Sequence, residues 1–84
     1  MTPAMADIVG LAGSAIFIAA FAYANFAKRF DKLWFNLANL VGAVLLLASL
    51  WINFNLAAFV LEVAWAGIAV LGIIGALRVR KVAA

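Results

Sequence analysis

LAAFVLEVAWAGIAVLGIIGAL, residues 56–77, holds a single ionisable side chain, Glu62. A hydrocarbon layer about 30 Å thick is crossed by roughly 20 helical residues at ~1.5 Å each, so this stretch reads as a transmembrane helix. Working outward, residues 33–52 and 8–27 are apolar runs of the same kind. Together the three occupy nearly all of an 84-residue chain that is 71% hydrophobic and 11% charged. So short a chain has too little interior to hide that apolar content from water. The expectation is an all-α membrane protein with three transmembrane helices, forming one integral membrane domain over residues 1–84.

The first connection, KRFDK (28–32), is short and charged, and the second is only the NFN of residues 53–55. In the second, Asn53 is expected to end a helix in the left-handed conformation and Asn55 to cap the next. Helices 2 and 3 then form a tight antiparallel hairpin. Lys28, Arg29 and Lys32 follow helix 1, and Arg78, Arg80 and Lys81 follow helix 3, so all six basic residues fall on one side. The positive-inside rule places the N-terminus outside and the C-terminus inside. A cleaved signal peptide would need a basic leader, whereas Asp7 precedes the first span and the positive charges follow it. The tail RVRK (78–81) reads as a topology signal; attraction to anionic lipid at ~1 kcal/mol per charge is ordinary for such a flank.

The chain has neither cysteine nor histidine. That removes thiol nucleophiles, thiolate metal sites, an imidazole base and the usual haem ligand. One carboxylate, two interior serines and a few asparagines make no recognisable nucleophile, base and orienting group, so no catalytic residues, metal site or cofactor are expected. The net charge of +3 has no aromatic stacking platform beside it, so nucleic acid is not an expected partner; the lipid bilayer is.

Depth along the helices sorts the polar residues into two levels. Ser14, Ser49 and Glu62 lie within ~10 Å of the outer boundary, and Tyr23, Asn25, Asn36 and Asn39 lie in the inner half. On helix 2, Asn39, Gly42, Ser49 and Asn53 follow a helical spacing and share a face that points at helix 1, helix 3 or a second copy. Asn36, Asn39, Gly42 and Asn53 are the candidate packing face, since buried amides join helices at about 0.5–2 kcal/mol per hydrogen bond. Small residues four apart, Gly10 and Ser14, Ala20 and Ala24, Gly72 and Ala76, suit close backbone approach. Trp34, Trp51 and Tyr23 fall near the interfaces, where amphipathic aromatics belong.

Glu62 stands apart, because a carboxylate at membrane depth costs ~3 kcal/mol on insertion scales. Arg78 lies about 24 Å away along the same helix, out of reach. Glu62 is therefore either protonated and donating to Ser14, Ser49 or Asn53, or ionised beside water or a cationic ligand. Glu62, Trp65, Ser14 and Ser49 form the candidate proton or cation site.

The order of motifs, Gly10 and Gly13, Ala22-Tyr23, Asn39-Leu-Val-Gly42-Ala43, Ser49, and Glu62-Val-Ala-Trp65, resembles an uncharacterised family of bacterial three-helix inner-membrane proteins, often labelled CBU-type domains. That resemblance covers about 70 residues and implies a fold and a location without an activity. Locally, LEVAWA (61–66) is similar to the first-helix motif of small multidrug resistance and guanidinium exporters, in which a glutamate is shared by a proton and a cation. That similarity implies Glu62 as the exchanging carboxylate and Trp65 as a wall of its site; those exporters have four helices and carry the motif in helix 1. Three-helix sugar half-transporters suit the length, but their Pro-Gln in helix 1 is absent. The expected function is a small non-catalytic membrane protein, either a homo-oligomer or an accessory subunit of a larger complex. The alternative is a proton-coupled carrier of a guanidinium-type or quaternary ammonium cation using Glu62 in a homodimer, since one three-helix chain cannot enclose an aqueous path.

Overall fold

A computed structural model describes the backbone of residues 1–83 and the side chains of residues 1–80. The described residues form three helices, α1 (Pro3–Phe26), α2 (Lys32–Leu50) and α3 (Leu56–Ala83). Each is long and apolar enough to cross a membrane. Helix α1 begins five residues before the apolar run that announces it. The extended Thr2 accepts the Met5 N–H on Oγ1 at 3.2 Å. Pro3 occupies the first helical position, where a missing N–H costs nothing. Helix α3 likewise continues past Leu77 through the basic tail, because Arg and Lys are good helix formers and their charge suits the negative end of the helix dipole.

The first connection is closed by Tyr23. Its hydroxyl accepts the Asp31 N–H at 2.6 Å and donates to the Arg29 carbonyl at 3.2 Å. Asp31 then caps α2, its Oδ1 accepting the Leu33 and Trp34 amides at 3.0 and 3.4 Å. Lys32, placed in the loop by its charge, is the first residue of the helix. In the second connection the left-handed Asn53 is not found, and no described residue has a positive φ. Helix α2 instead tightens as it ends: Trp51 N–H donates to the Ala48 carbonyl and Ile52 N–H to the Ser49 carbonyl, both at 3.2 Å. This satisfies the Ala48 and Ser49 carbonyls without a glycine-like turn. Asn55 does cap α3, accepting the Ala58 N–H on Oδ1 at 3.0 Å.

Helix α2 lies between the other two, packing on α1 along one side and on α3 along the other, and the backbones of α1 and α3 do not approach each other. The core is made of small side chains. Among the described residues Ala6, Ala20, Ala43, Ala69 and Ala76 are buried, no large side chain is fully buried, and Ile18, Phe21 and Leu71 point outward. In hydrocarbon, apolar surface gains little by hiding, so helices meet where small residues allow close contact. On α1 these are Ala6, Gly10, Gly13 and Ala20. A Cβ on Gly13 would sit 2.8 Å from the Gly42 carbonyl oxygen, and one on Gly42 would sit 2.7 Å from the Phe17 ring. On α3, Gly72 lies directly under the Asn36 carboxamide, leaving no room for a side chain.

Candidate functional site

The polar residues of the interior lie along the two seams of α2. On the α1 side, Ser49 donates to the Ala6 carbonyl at 2.7 Å, and a Cβ on Gly10 would meet the Ser49 hydroxyl at 2.8 Å. Ser14 donates to the Gly10 carbonyl of its own helix at 2.9 Å. Beyond the seam, at the end holding the N-terminus, Asn53 donates to Asp7 Oδ1 at 3.0 Å. On the α3 side, Asn36 and Asn39 are buried and each donates to the carbonyl four residues back, Lys32 and Phe35, at 2.8 Å. Asn39 also accepts the Trp65 indole N–H on Oδ1 at 2.8 Å, which joins α2 to α3. Asparagine thus acts less as a bridge than its burial suggests. Most of its donor capacity is spent on its own helix, which lets a polar amide sit in the seam without an external partner.

The structure therefore divides the face read along α2. Asn39 serves the contact with α3, while Gly42, Ser49 and Asn53 serve α1, because α2 is the middle helix and its small and polar positions wrap from one neighbour to the other. The candidate site divides in the same way. Ser14 and Ser49 belong to the α1 side, and both hydroxyls donate to backbone carbonyls. Glu62 and Trp65 belong to α3, on a stripe that continues through Ala69, Gly72 and Ala76. Glu62 is 8% exposed, and its Oε2 is the one buried side-chain polar atom among the described residues that finds no hydrogen-bond partner. The three partners expected for it, Ser14, Ser49 and Asn53, make their hydrogen bonds elsewhere.

Below Glu62 the Trp65 ring meets Phe17 of α1, with centroids 5.3 Å apart. This aromatic contact spans the front of α2 where the outer backbones do not touch. Phe17, Phe21, Phe35, Asn39 and Trp65 line a cleft of about 300 Å³ there. Phe17 and Phe35 carry no positional signal in the sequence, because a phenylalanine in an apolar run looks like any other lipid-facing residue. Gly13 and Ala6 had one: with Gly10, Phe17 and Ala20 they follow a three-four spacing that marks a single helix face.

At the opposite end from Asp7 and Asn53, Arg80 pairs with Asp31 Oδ2 at 2.5 Å. Desolvation pushes the Asp31 carboxyl up, but the hydrogen bond from Arg80, the Trp34 amide, the Arg80 charge and the Leu33 amide together hold it below the ordinary aspartate value. This pair brings the charged connection and the basic end of α3 together.

A protein-family model matches residues 6–81, nearly the whole chain and all three helices. No curated protein and no solved structure matches it.

Proposed function

The chain belongs to the uncharacterised family whose model spans residues 6–81, and from that premise we propose that it is a small non-catalytic membrane protein that works by assembly. It sits in the bacterial inner membrane with its N-terminus outside and its C-terminus in the cytoplasm, α2 and α3 forming a tight hairpin. It functions as a homo-oligomer or as an accessory subunit of a larger complex. The observation that carries this reading is the use of the interior polar groups. Ser49 and the Trp65–Asn39 pair bond between neighbouring helices, while Ser14 and Asn36 bond to carbonyls of their own helices, so these groups are spent on structure and are not free for chemistry. The same observation moves the partner surface. The Asn36, Asn39 and Gly42 positions are buried inside the chain, so a second copy or a host complex docks on the outward apolar faces, where Ile18 and Phe21 of α1, Val41 and Val44 of α2, and Ile68 and Leu71 of α3 are exposed.

Purification from the native membrane in mild detergent, followed by identification of co-purifying chains, tests this proposal. Recovery of a homo-oligomer or a defined complex supports it; a monomer recovered alone removes it.

One observation favours a second reading, a proton-coupled carrier of a small cation: the unpartnered Oε2 of Glu62. A carboxylate kept at membrane depth without a partner is a functional group by default. In liposomes this reading expects proton-coupled uptake of guanidinium or a quaternary ammonium ion, abolished in Glu62→Gln. Uptake that persists in that variant ends the carrier role of Glu62.

A further inference from the structure

Arg29, Lys32 and Arg80 converge with Asp31 on a cavity of about 420 Å³ between the start of α2 and the last turns of α3. Its inner wall is apolar, made by Leu33, Gly75, Ala76 and Val79. Three basic side chains face one carboxylate, and that carboxylate is already engaged. Asp31 Oδ1 takes two backbone amides and Oδ2 takes Arg80. Among the described residues Arg29 and Lys32 have no ion-pair partner. Arg80 bonds Asp31 through one terminal nitrogen, so the ion pair orients a planar guanidinium whose other N–H groups remain available. The hydroxyl of Tyr23, bonded to Arg29 and Asp31, fixes the connection that carries two of these groups.

Gly75 forms part of the same cavity wall. A Cβ added there would meet nothing within 4 Å, so neither close packing nor a positive φ requires glycine. An interior glycine weakens a helix. Gly75 lines the cavity, so a large side chain placed there would enter its open space.

We propose that this cavity binds a phosphate group at the membrane surface, supplied by the headgroup of an anionic phospholipid. Excess positive charge and an oriented guanidinium match a phosphate oxygen. The cavity lies where charged residues meet the ends of the apolar helices, the level at which lipid phosphates stand. A soluble phosphate would use the same cations, but the apolar wall formed by Gly75 and Val79 suits the glycerol and first acyl carbons of a lipid.

The test is native mass spectrometry of the full chain released from bilayer discs of mixed phosphatidylglycerol and phosphatidylcholine, with a parallel titration of inorganic phosphate in detergent. The wild type is expected to retain phosphatidylglycerol preferentially. Arg29→Gln and Lys32→Gln should each lower retention about tenfold or more, the scale of one lost charge-assisted contact to a phosphate oxygen. Gly75→Phe should lower it comparably with the charge unchanged and the helical circular dichroism intact, and Gly75→Ala should lower it less. Lys28→Gln, which removes the same charge outside the cavity, should lower retention by no more than about fivefold, the non-specific scale of one charge near an anionic surface. If inorganic phosphate binds with this pattern and the lipid does not, the phosphate site stands and its lipid source is overturned. The site itself is overturned if Gly75→Phe binds as the wild type does, or if Lys28→Gln loses as much as Lys32→Gln.

Discussion

Trp65 on α3 and Asn39 on α2 share one hydrogen bond across the seam, indole N–H to Oδ1 at 2.8 Å, while the other end of the carboxamide is tied to Phe35 of its own helix. Asn39 is thereby held in the rotamer that presents its oxygen to α3. Asn39→Leu removes the acceptor and leaves the indole N–H without a partner at membrane depth. The expected loss is about 0.5–2 kcal/mol, read by denaturation in mixed micelles. Trp65→Phe should cost a similar amount, and a double-mutant cycle should return a coupling of about 0.6–1.7 kcal/mol. Strict additivity of the two substitutions would mean that the bond carries no stability.

The glycines divide by what surrounds them. A methyl on Gly13 would meet the backbone oxygen of Gly42, and a backbone atom cannot rotate away. Gly13→Ala should therefore force α1 from α2 and destabilise by about 1–3 kcal/mol, the range of overpacked cores. Gly67 has nothing within 4 Å, so Gly67→Ala should be neutral or stabilise by up to about 1 kcal/mol through helix propensity alone. Unfolding both variants in one detergent series is sufficient, and equal effects would contradict the packing described.

Three helices were legible because hydrocarbon thickness sets a length that apolar runs must meet, and residues 8–27, 33–52 and 56–77 all meet it. The helix ends were less legible. A count of apolar residues measures the part in lipid, whereas helices start and stop where amides and carbonyls find partners, as at Thr2 for α1 and beyond Leu77 for α3. The seams were half legible. Asn39, Gly42 and Ser49 were found by spacing, but which neighbour each one faces depends on α2 being the middle helix, and no local pattern states the order of helices in space. Residue type alone places Tyr23 at the lipid interface; its work in closing the first connection depends on a hydroxyl meeting two backbone groups brought round by the loop. Glu62 was legible as an anomaly, but not the absence of its expected partners.

Asp31 makes the first connection sensitive to acid. Its folded carboxyl titrates below the ordinary aspartate value. Its contribution is therefore complete above that ordinary value, near pH 4, and is lost as the pH falls through the lower folded value. Thermal unfolding at pH 7 and near pH 3 should show a larger drop in Tm for the wild type than for Asp31→Asn, which cannot titrate. Identical drops would mean that the cap and the Arg80 pair contribute nothing to stability.

Glu62 gives the sharpest separation between a group kept for stability and a group kept for another purpose. A buried carboxylate that holds helices together destabilises the fold when it is removed, because its partners are stranded. Glu62 strands nothing, since its Oε2 has no partner and the polar groups along both seams are bonded to others. Glu62→Met keeps much of the side-chain volume and removes an unsatisfied polar group, whose burial costs about 1–3 kcal/mol. The variant should therefore unfold at the same denaturant concentration as the wild type or a higher one. Glu62→Gln, which keeps a polar head in the same place, should not share the gain. If Glu62→Met instead unfolds more readily, the carboxylate has a partner in the assembled protein, and the place to look for it is a second copy of the chain or a bound cation.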